Sequence, residues 1–303
     1  MATPRLIMVC GGAGFIGSHL VDRLLAEGHE VDVVDDLSTG SLTNLNESRS
    51  GSGRFKFQNI SVASAEFSEL VSLRRPSVIV NLASFAPSHM HLAGASSSLA
   101  ATIAVLEAAR RGAVSKVVTA IPAHLLYGEV ATRDLPIKEG HINDARTTEE
   151  VLGRAAADMH HVYRDRHGVE FTVLAMSNVY GKRQRTEDGV VASFLDALSQ
   201  GKAPIIHGSG KQIRDFVFID DTVDAMSRSL ERAGGLVINV GTGVSTSIND
   251  LWSVMGGVAA PAPRSAAERP HDIARLSLSP VRARIQLGWS PFTTLEQGLA
   301  SLR

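Results

Sequence analysis

Cysteine is nearly absent: Cys10 is the only one in 303 residues, so no internal disulfide can form. A chain without disulfides and without a signal-type start suits the reducing cytoplasm. Charge of one sign is missing as well. The 30 basic and 31 acidic residues leave a formal net charge of −1. No basic run offers the clustered positive potential that nucleic acid requires, so a polyanion partner is excluded. Long apolar stretches are lacking too. The longest are strand-sized, well short of the ~20 residues of a membrane span. Aromatic residues amount to 5%, and Tyr127, Tyr163 and Tyr180 are the only tyrosines. There is no internal repeat. What remains is 44% hydrophobic and 20% charged, which excludes intrinsic disorder and fibrous repeats. The length implies about two domains, or one elaborated α/β domain.

Short apolar runs alternate with longer amphipathic ones. Residues 6–9, 31–34, 55–57, 78–82, 116–119 and 171–174 read as strands. Helices are expected over 15–27, closed by Gly28; around Phe67, Leu70 and Val71; over 99–111, ending at Gly112; and over 149–166. Strand–helix alternation implies crossover units and a parallel sheet buried on both faces. The expected fold is therefore α/β, a doubly wound parallel sheet of Rossmann type with a smaller C-terminal substrate-binding domain. Residues 1–176 would form the first domain, with a later contribution from about 211–240. Residues 177–210 and 241–303 would form the second. The Ser-, Gly- and Asn-rich stretch 45–53 is the first candidate for disorder, and Pro261 to Pro263 the second.

The motif Gly11-Gly12-Ala13-Gly14-Phe15-Ile16-Gly17 directly follows the first strand and opens a helix. In that place glycines let backbone amides approach a pyrophosphate, and the helix N-terminus adds positive potential. Asp35 lies 18 residues beyond Gly17, at the tip of the second strand. A carboxylate there accepts hydrogen bonds from an adenosine ribose and repels a 2′-phosphate, which selects NAD over NADP. The competing reading is a glycine turn that merely packs the helix.

The stretches GGAGFIGSHL, VVDDLSTG, NVYG, KQIRDFVFIDD, INVGTG and RPHD occur in that order. On these motifs the chain, from Leu6 to Leu299, resembles the extended short-chain dehydrogenase/reductase family. Within it, the resemblance is to NAD-dependent nucleotide-sugar epimerases and dehydratases of the UDP-glucose 4-epimerase type. The resemblance implies cofactor contacts from Gly11, Gly14, Phe15, Ile16, Gly17, Asp35, Asp36, Ser38, Asn59, Ile60, Leu82 and Ala83. It also implies that Asn178, Arg214 and Arg269 reach the diphosphate of a UDP- or TDP-sugar, and that Asp272 binds the nucleotide's ribose or base. Two arginines and an amide suit a dianionic pyrophosphate on physical grounds alone. The bland alternative for Arg214 is a surface arginine paired with Asp215. Relatives often dimerise through a four-helix bundle, and the apolar faces of 99–111 and 149–166 permit a homodimer.

The family's chemistry rests on a Tyr-x-x-x-Lys pair assisted by Ser or Thr, and this chain departs from all three. Four residues before Tyr127, the Ser/Thr position holds Ala123. The tyrosine position falls on Glu149 or Glu150, and the lysine position correspondingly on Gly153 or Arg154. Tyr127 and Tyr180 sit in motifs that carry tyrosine even where the catalytic one is present. A positioned general base contributes about 10²–10⁴-fold, so another group must serve or no chemistry occurs. His124, next to the vacant Ser/Thr position, is the leading substitute, since histidine titrates near neutrality. A space-filling histidine is its alternative. Glu149 or Glu150 could act as a carboxylate base if burial raised its pKa, although Glu150 and Arg154 also read as a helical ion pair. Asn59 stands where the family has aspartate, Ser98 where it has asparagine. Ala175 and Lys182 replace an arginine and a proline flanking NVYG. His89 and His91 lack a convincing third ligand, so no metal is expected. The expected function is an NAD-dependent nucleotide-sugar-modifying enzyme with a non-standard acid/base group. Its rivals are a catalytically silent NAD- or sugar-nucleotide-binding protein and an enzyme acting on a smaller substrate, with Arg214 and Arg269 structural.

Overall fold

The computed structural model describes residues 4–51, 53–86, 91–256, 261–269 and 272–302. The first half runs β1 (Leu6–Cys10), α1 (Phe15–Ala26), β2 (Glu30–Val34), α2 (Asn46–Ser50), β3 (Phe55–Gln58), α3 (Ala65–Arg74), β4 (Val78–Asn81), α4 (Leu92–Arg111), β5 (Lys116–Pro122), α5 (Ala123–Tyr127), α6 (Thr148–His167) and β6 (Glu170–Met176). The second half adds β7 (Asn178–Tyr180), α7 (Val190–Ser199), β8 (Ile205–His207), β9 (Ile213–Arg214), β10 (Phe216–Phe218), α8 (Ile219–Ser229), β11 (Leu236–Val240), β12 (Thr246–Ser247), α9 (Ile248–Gly256), β13 (Arg264–Ala266), α10 (Val281–Gln286) and α11 (Leu295–Ala300).

Seven strands form one parallel sheet in the order β11-β6-β5-β4-β1-β2-β3. Ile7, Val9, Val31, Val33, Val78 and Val80 are buried in it, the near-continuous apolar runs expected of strands covered on both faces. From β1 the chain winds outward to β2 and β3, then returns to place β4 on the other side of β1. That reversal opens a crevice at the carboxyl ends of β1 and β4. Three two-stranded ribbons, β10–β7, β12–β9 and β13–β8, stand apart from the central sheet.

Three expectations need correction. First, α4 begins seven residues earlier than its sequence pattern suggests, at Leu92. The serines there do not end the helix, because Ser97 and Thr102 return their hydroxyls to the carbonyls of Ala93 and Ser98, while Gly94, Ala95 and Ser98 are buried. Second, the extended α4 is, among the described residues, one helix long and apolar enough to cross a membrane. Its Ala95, Ala101, Val105, Leu106 and Ala109 are instead buried in the protein, where α4 packs on α3 and α6. Third, the described part of 45–53 is structured. Leu45 is fully buried, Ser48 of α2 donates to the Asp22 carboxylate, and Arg183 bridges Asp22 at 2.7 Å and Glu47 at 3.5 Å. Polar composition misleads here because the short helix is tied down by side chains far along the chain. Residues 261–263 are irregular, and β13 begins directly after them.

Candidate active site

At the end of β1 the chain turns through Gly11, whose φ of +77° is a left-handed conformation. A Cβ on Gly11 would lie 2.7 Å from the Leu82 carbonyl carbon, and one on Gly17 would overlap the Gly11 carbonyl oxygen. The glycines are therefore demanded by backbone packing as well as by any ligand. No side chain caps the first turn of α1, which leaves an N-terminus with free anion-binding capacity. Asp35 Oδ2 accepts the Ala13 amide at 2.9 Å and Oδ1 the Leu37 amide at 2.8 Å. Burial pushes this carboxyl up, against those two hydrogen bonds. An ionised carboxylate has about four acceptor positions, so two remain for ribose hydroxyls. Asp36 is exposed and takes the Ser38 amide at 3.0 Å. Asn59 is exposed and Ile60 half-buried. Leu82 and Ala83 close the turn from the β4 side, their amides bonded to Cys10 O and Asn81 Oδ1. Ser98 Oγ accepts the amide of Phe85, whose φ is +55°. An uncapped helix start, a side-chain-free turn and a half-engaged carboxylate fit a dinucleotide.

Asn178 on β7 donates its backbone amide to Asp215 O at 3.0 Å, while its side-chain Oδ1 is buried without a hydrogen-bond partner. Arg214 is neither on the surface nor paired with Asp215. Its side chain is 11% exposed, and Nη2 donates to Asp272 Oδ1 at 2.5 Å. Asp215 is fully buried and already holds four donors: the amides of Thr242, Gly243 and Leu278 and the Thr242 hydroxyl. From sequence it reads only as a partner for Arg214, whereas it is the knot joining three chain segments. Arg269 is exposed, and its charge helps hold Arg214 below the usual arginine range, behind the larger effect of burial.

His124 lies in the field of this cluster. Burial first, and then the Arg214 charge, push its imidazole down to about 4, with Asp272 opposing. The expectation that it titrates near neutrality is corrected: at neutral pH the ring is neutral, able to accept a proton but not to donate one as imidazolium. Ala123 beside it is fully buried.

On α6, Glu149 is half-buried and accepts the Thr148 hydroxyl at 3.0 Å. Glu150 is buried and accepts the Arg146 amide at 2.9 Å. The expected Glu150–Arg154 ion pair does not form. Arg154 donates from Nε to Leu126 O at 3.0 Å and from Nη1 to Asn143 O, so carbonyls rather than a carboxylate draw its guanidinium along α5. At Gly153 a Cβ would stand 2.6 Å from Leu125 Cβ, which leaves no room for a lysine in the structure as it stands.

Every tyrosine hydroxyl is committed elsewhere: Tyr127 to Asn239 Oδ1 at 2.6 Å, Tyr163 to Glu107 Oε2 at 3.4 Å and Tyr180 to Leu295 O at 3.4 Å. Burial raises all three pKa values. Ala175 is buried in β6, and Lys182 lends its carbonyl to His19 Nε2 at 2.9 Å. His91 caps α4 by accepting the Gly94 amide, and His89 lies outside the described residues. Among the described residues, no group of three or more potential metal ligands converges.

Residues 7–241 match the family model of the NAD-dependent epimerase/dehydratase family. The UDP-glucose 4-epimerase of Mycolicibacterium smegmatis is 37% identical, over 97% of this chain and 96% of its own. The crystal structure of a UDP-glucose 4-epimerase from Thermotoga maritima with UDP-glucose superimposes with a TM-score of 0.89 at 31% identity, covering 97% of this chain and 96% of the other. That of Thermus thermophilus UDP-glucose 4-epimerase in complex with NAD does so with a TM-score of 0.87 at 28% identity and the same coverages. A Rossmann sheet with a dinucleotide turn at its switch point places the protein in the extended short-chain dehydrogenase class. Within that class, the chain belongs to the NAD-dependent epimerase/dehydratase family.

Proposed function

We propose that the protein is an NAD-dependent nucleotide-sugar epimerase or dehydratase that works with a non-standard acid/base group. The observation that carries this reading is a polar cluster beside the dinucleotide turn in the same family-matched chain: Arg214 paired with Asp272, Arg269 acting on Arg214, and the unpartnered Asn178 Oδ1. A buried polar atom without a partner costs about 1–3 kcal/mol, and a bound hydroxyl donating to this amide oxygen would relieve it. NAD, held by the 11–17 turn and Asp35, supplies a hydride acceptor when bound. Arg214 and Arg269 orient the diphosphate of a UDP- or TDP-sugar, and Asp272 takes the nucleoside. His124 is the favoured proton acceptor and Glu149 the second. Glu150 and Arg154 hold structure rather than move protons: Glu150 accepts the Arg146 amide, and Arg154 donates from Nε and Nη1 to Leu126 and Asn143 carbonyls, leaving Nη2 buried without a partner.

This reading carries with it a division into a dinucleotide domain, 1–176 with about 211–240, and a sugar-nucleotide domain, 177–210 and 241–303. It also carries a cytoplasmic location, and a homodimer formed through α4 and α6. The test is a panel of UDP-, TDP- and GDP-sugars, followed for new products and for transient absorbance of reduced cofactor. Turnover that His124→Ala abolishes is the expected result; binding without turnover across the whole panel would overturn it.

The second reading, a catalytically silent protein that binds NAD and a sugar nucleotide, draws on the committed tyrosine hydroxyls and the closed space at Gly153. Calorimetric titration with UDP separates both from an enzyme of smaller substrates, which would not bind it.

A further inference from the structure

The side of α6 that meets α5 carries Glu150, Gly153 and Arg154, spaced i, i+3 and i+4 and so on one face. Gly153 brings the α6 backbone against Leu125, 2.6 Å from any added Cβ to Leu125 Cβ. Arg154 donates to Leu126 O at 3.0 Å and also to Asn143 O. Glu150 Oε2 holds the Arg146 amide and lies beside Gly128, whose own amide closes α5 on His124 O at 2.9 Å. Three successive α5 residues, His124, Leu125 and Leu126, are thus met from α6 or through Gly128. α5 is five residues long and has no side-chain cap. A helix that short has no stability of its own, so its placement comes from its neighbours: β5, from which it directly continues, Asn239, which holds the Tyr127 hydroxyl, and α6.

We propose that Gly153 and Arg154 are positioning residues that seat α5 and, with it, the His124 it carries. The proposal rests on the reading of His124 as the group that handles the proton, but the seating is a property of the resting protein and is measured without substrate. The α6 face that in the resembled family carries a tyrosine–lysine pair serves here as a bed for the helix bearing the substitute.

The test is the titration of the His124 imidazole by NMR in the full-length protein. In its seat, with Arg214 and Asp272 facing it and Glu129 and Arg269 acting on Arg214, the ring titrates near pH 4. Arg154→Met removes both hydrogen bonds and leaves the Gly153–Leu125 contact alone. The midpoint of His124 should then climb by about one pH unit or more toward the ordinary value of 6.5. Arg154→Lys, which keeps a donor for Leu126 O, should return it part of the way. Gly153→Ala should raise the midpoint as well, since the overlap is with the Leu125 Cβ itself. His160, buried on the same helix and bonded to Thr119 and Ala156, is the internal reference and should not move.

If Gly153→Ala does not fold, Arg154→Met decides alone. A folded Arg154→Met protein whose His124 titrates as in the parent overturns the proposal. Full turnover in His124→Ala would remove the catalytic reading of that histidine and leave the seating intact, so the two failures are distinguishable.

Discussion

At the scale of single residues, two histidines are kept neutral by burial and set a measurable acid limit. His160 donates from Nδ1 to Ala156 O at 2.7 Å and accepts from the Thr119 hydroxyl at Nε2, also at 2.7 Å; the carbonyl contact fixes the tautomer. Its pKa, like that of His124, is lowered from 6.5 to about 4. A depressed folded-state value means that the unfolded chain binds the proton more readily. The stabilisation is complete above pH 6.5 and is lost as pH falls toward 4, by up to roughly 3 kcal/mol per histidine. Thermal unfolding followed across that window should therefore show a steep loss of stability, and His160→Gln should flatten it; an unchanged slope would count against the assignment. Asp35 is the other single residue with a sharp expectation. Asp35→Asn replaces one acceptor by an NH₂ facing the Ala13 or Leu37 amide, at a cost of about 1–3 kcal/mol. Calorimetry should show NAD affinity falling together with the thermal midpoint.

At the scale of elements, Asp215 carries more structure than any other side chain near the cleft. It ties the turn after β11, through Thr242 and Gly243, to Leu278 and to the β9–β10 step. Asp215→Ala would leave four donors without their acceptor, and a loss of several kcal/mol is expected, read as a large drop in thermal midpoint with weakened UDP binding. The α4–α6 pair carries a different prediction. On α6, Val151 and Val162 are 54% and 47% exposed, an apolar surface that a second copy would cover. Val162→Glu should shift the mass measured by light scattering from dimer to monomer; a protein monomeric from the start would refute the homodimer.

Most of these elements were readable from periodicity. Six of the seven parallel strands, α1 and α6 lie within a few residues of their expected limits, because apolar runs and terminal glycines encode them locally; β11, at the sheet edge, had no such expectation. The start of α4 and the order of 45–50 were not readable. Each depends on partners remote in sequence: Asp22 and Arg183 for α2, α3 and α6 for α4.

At the scale of the whole molecule, the glycine turn sits where the strand order reverses, and sequence reading of the candidate site is uneven. The glycine turn and Asp35 could be placed because their spacing is itself the geometry. Arg214 and Asp272 were legible only through resemblance, and their mutual ion pair not at all. Nor could sequence foresee how far burial, and then the Arg214 charge, would lower the imidazole at 124, since both depend on chain remote in sequence.

Gly153 also limits what can be engineered on this face. With the Leu125 Cβ 2.6 Å from where any side chain would begin, every residue larger than glycine must force the neighbouring helix aside. A lysine introduced at 153 therefore needs a second change on α5 before the fold can admit it.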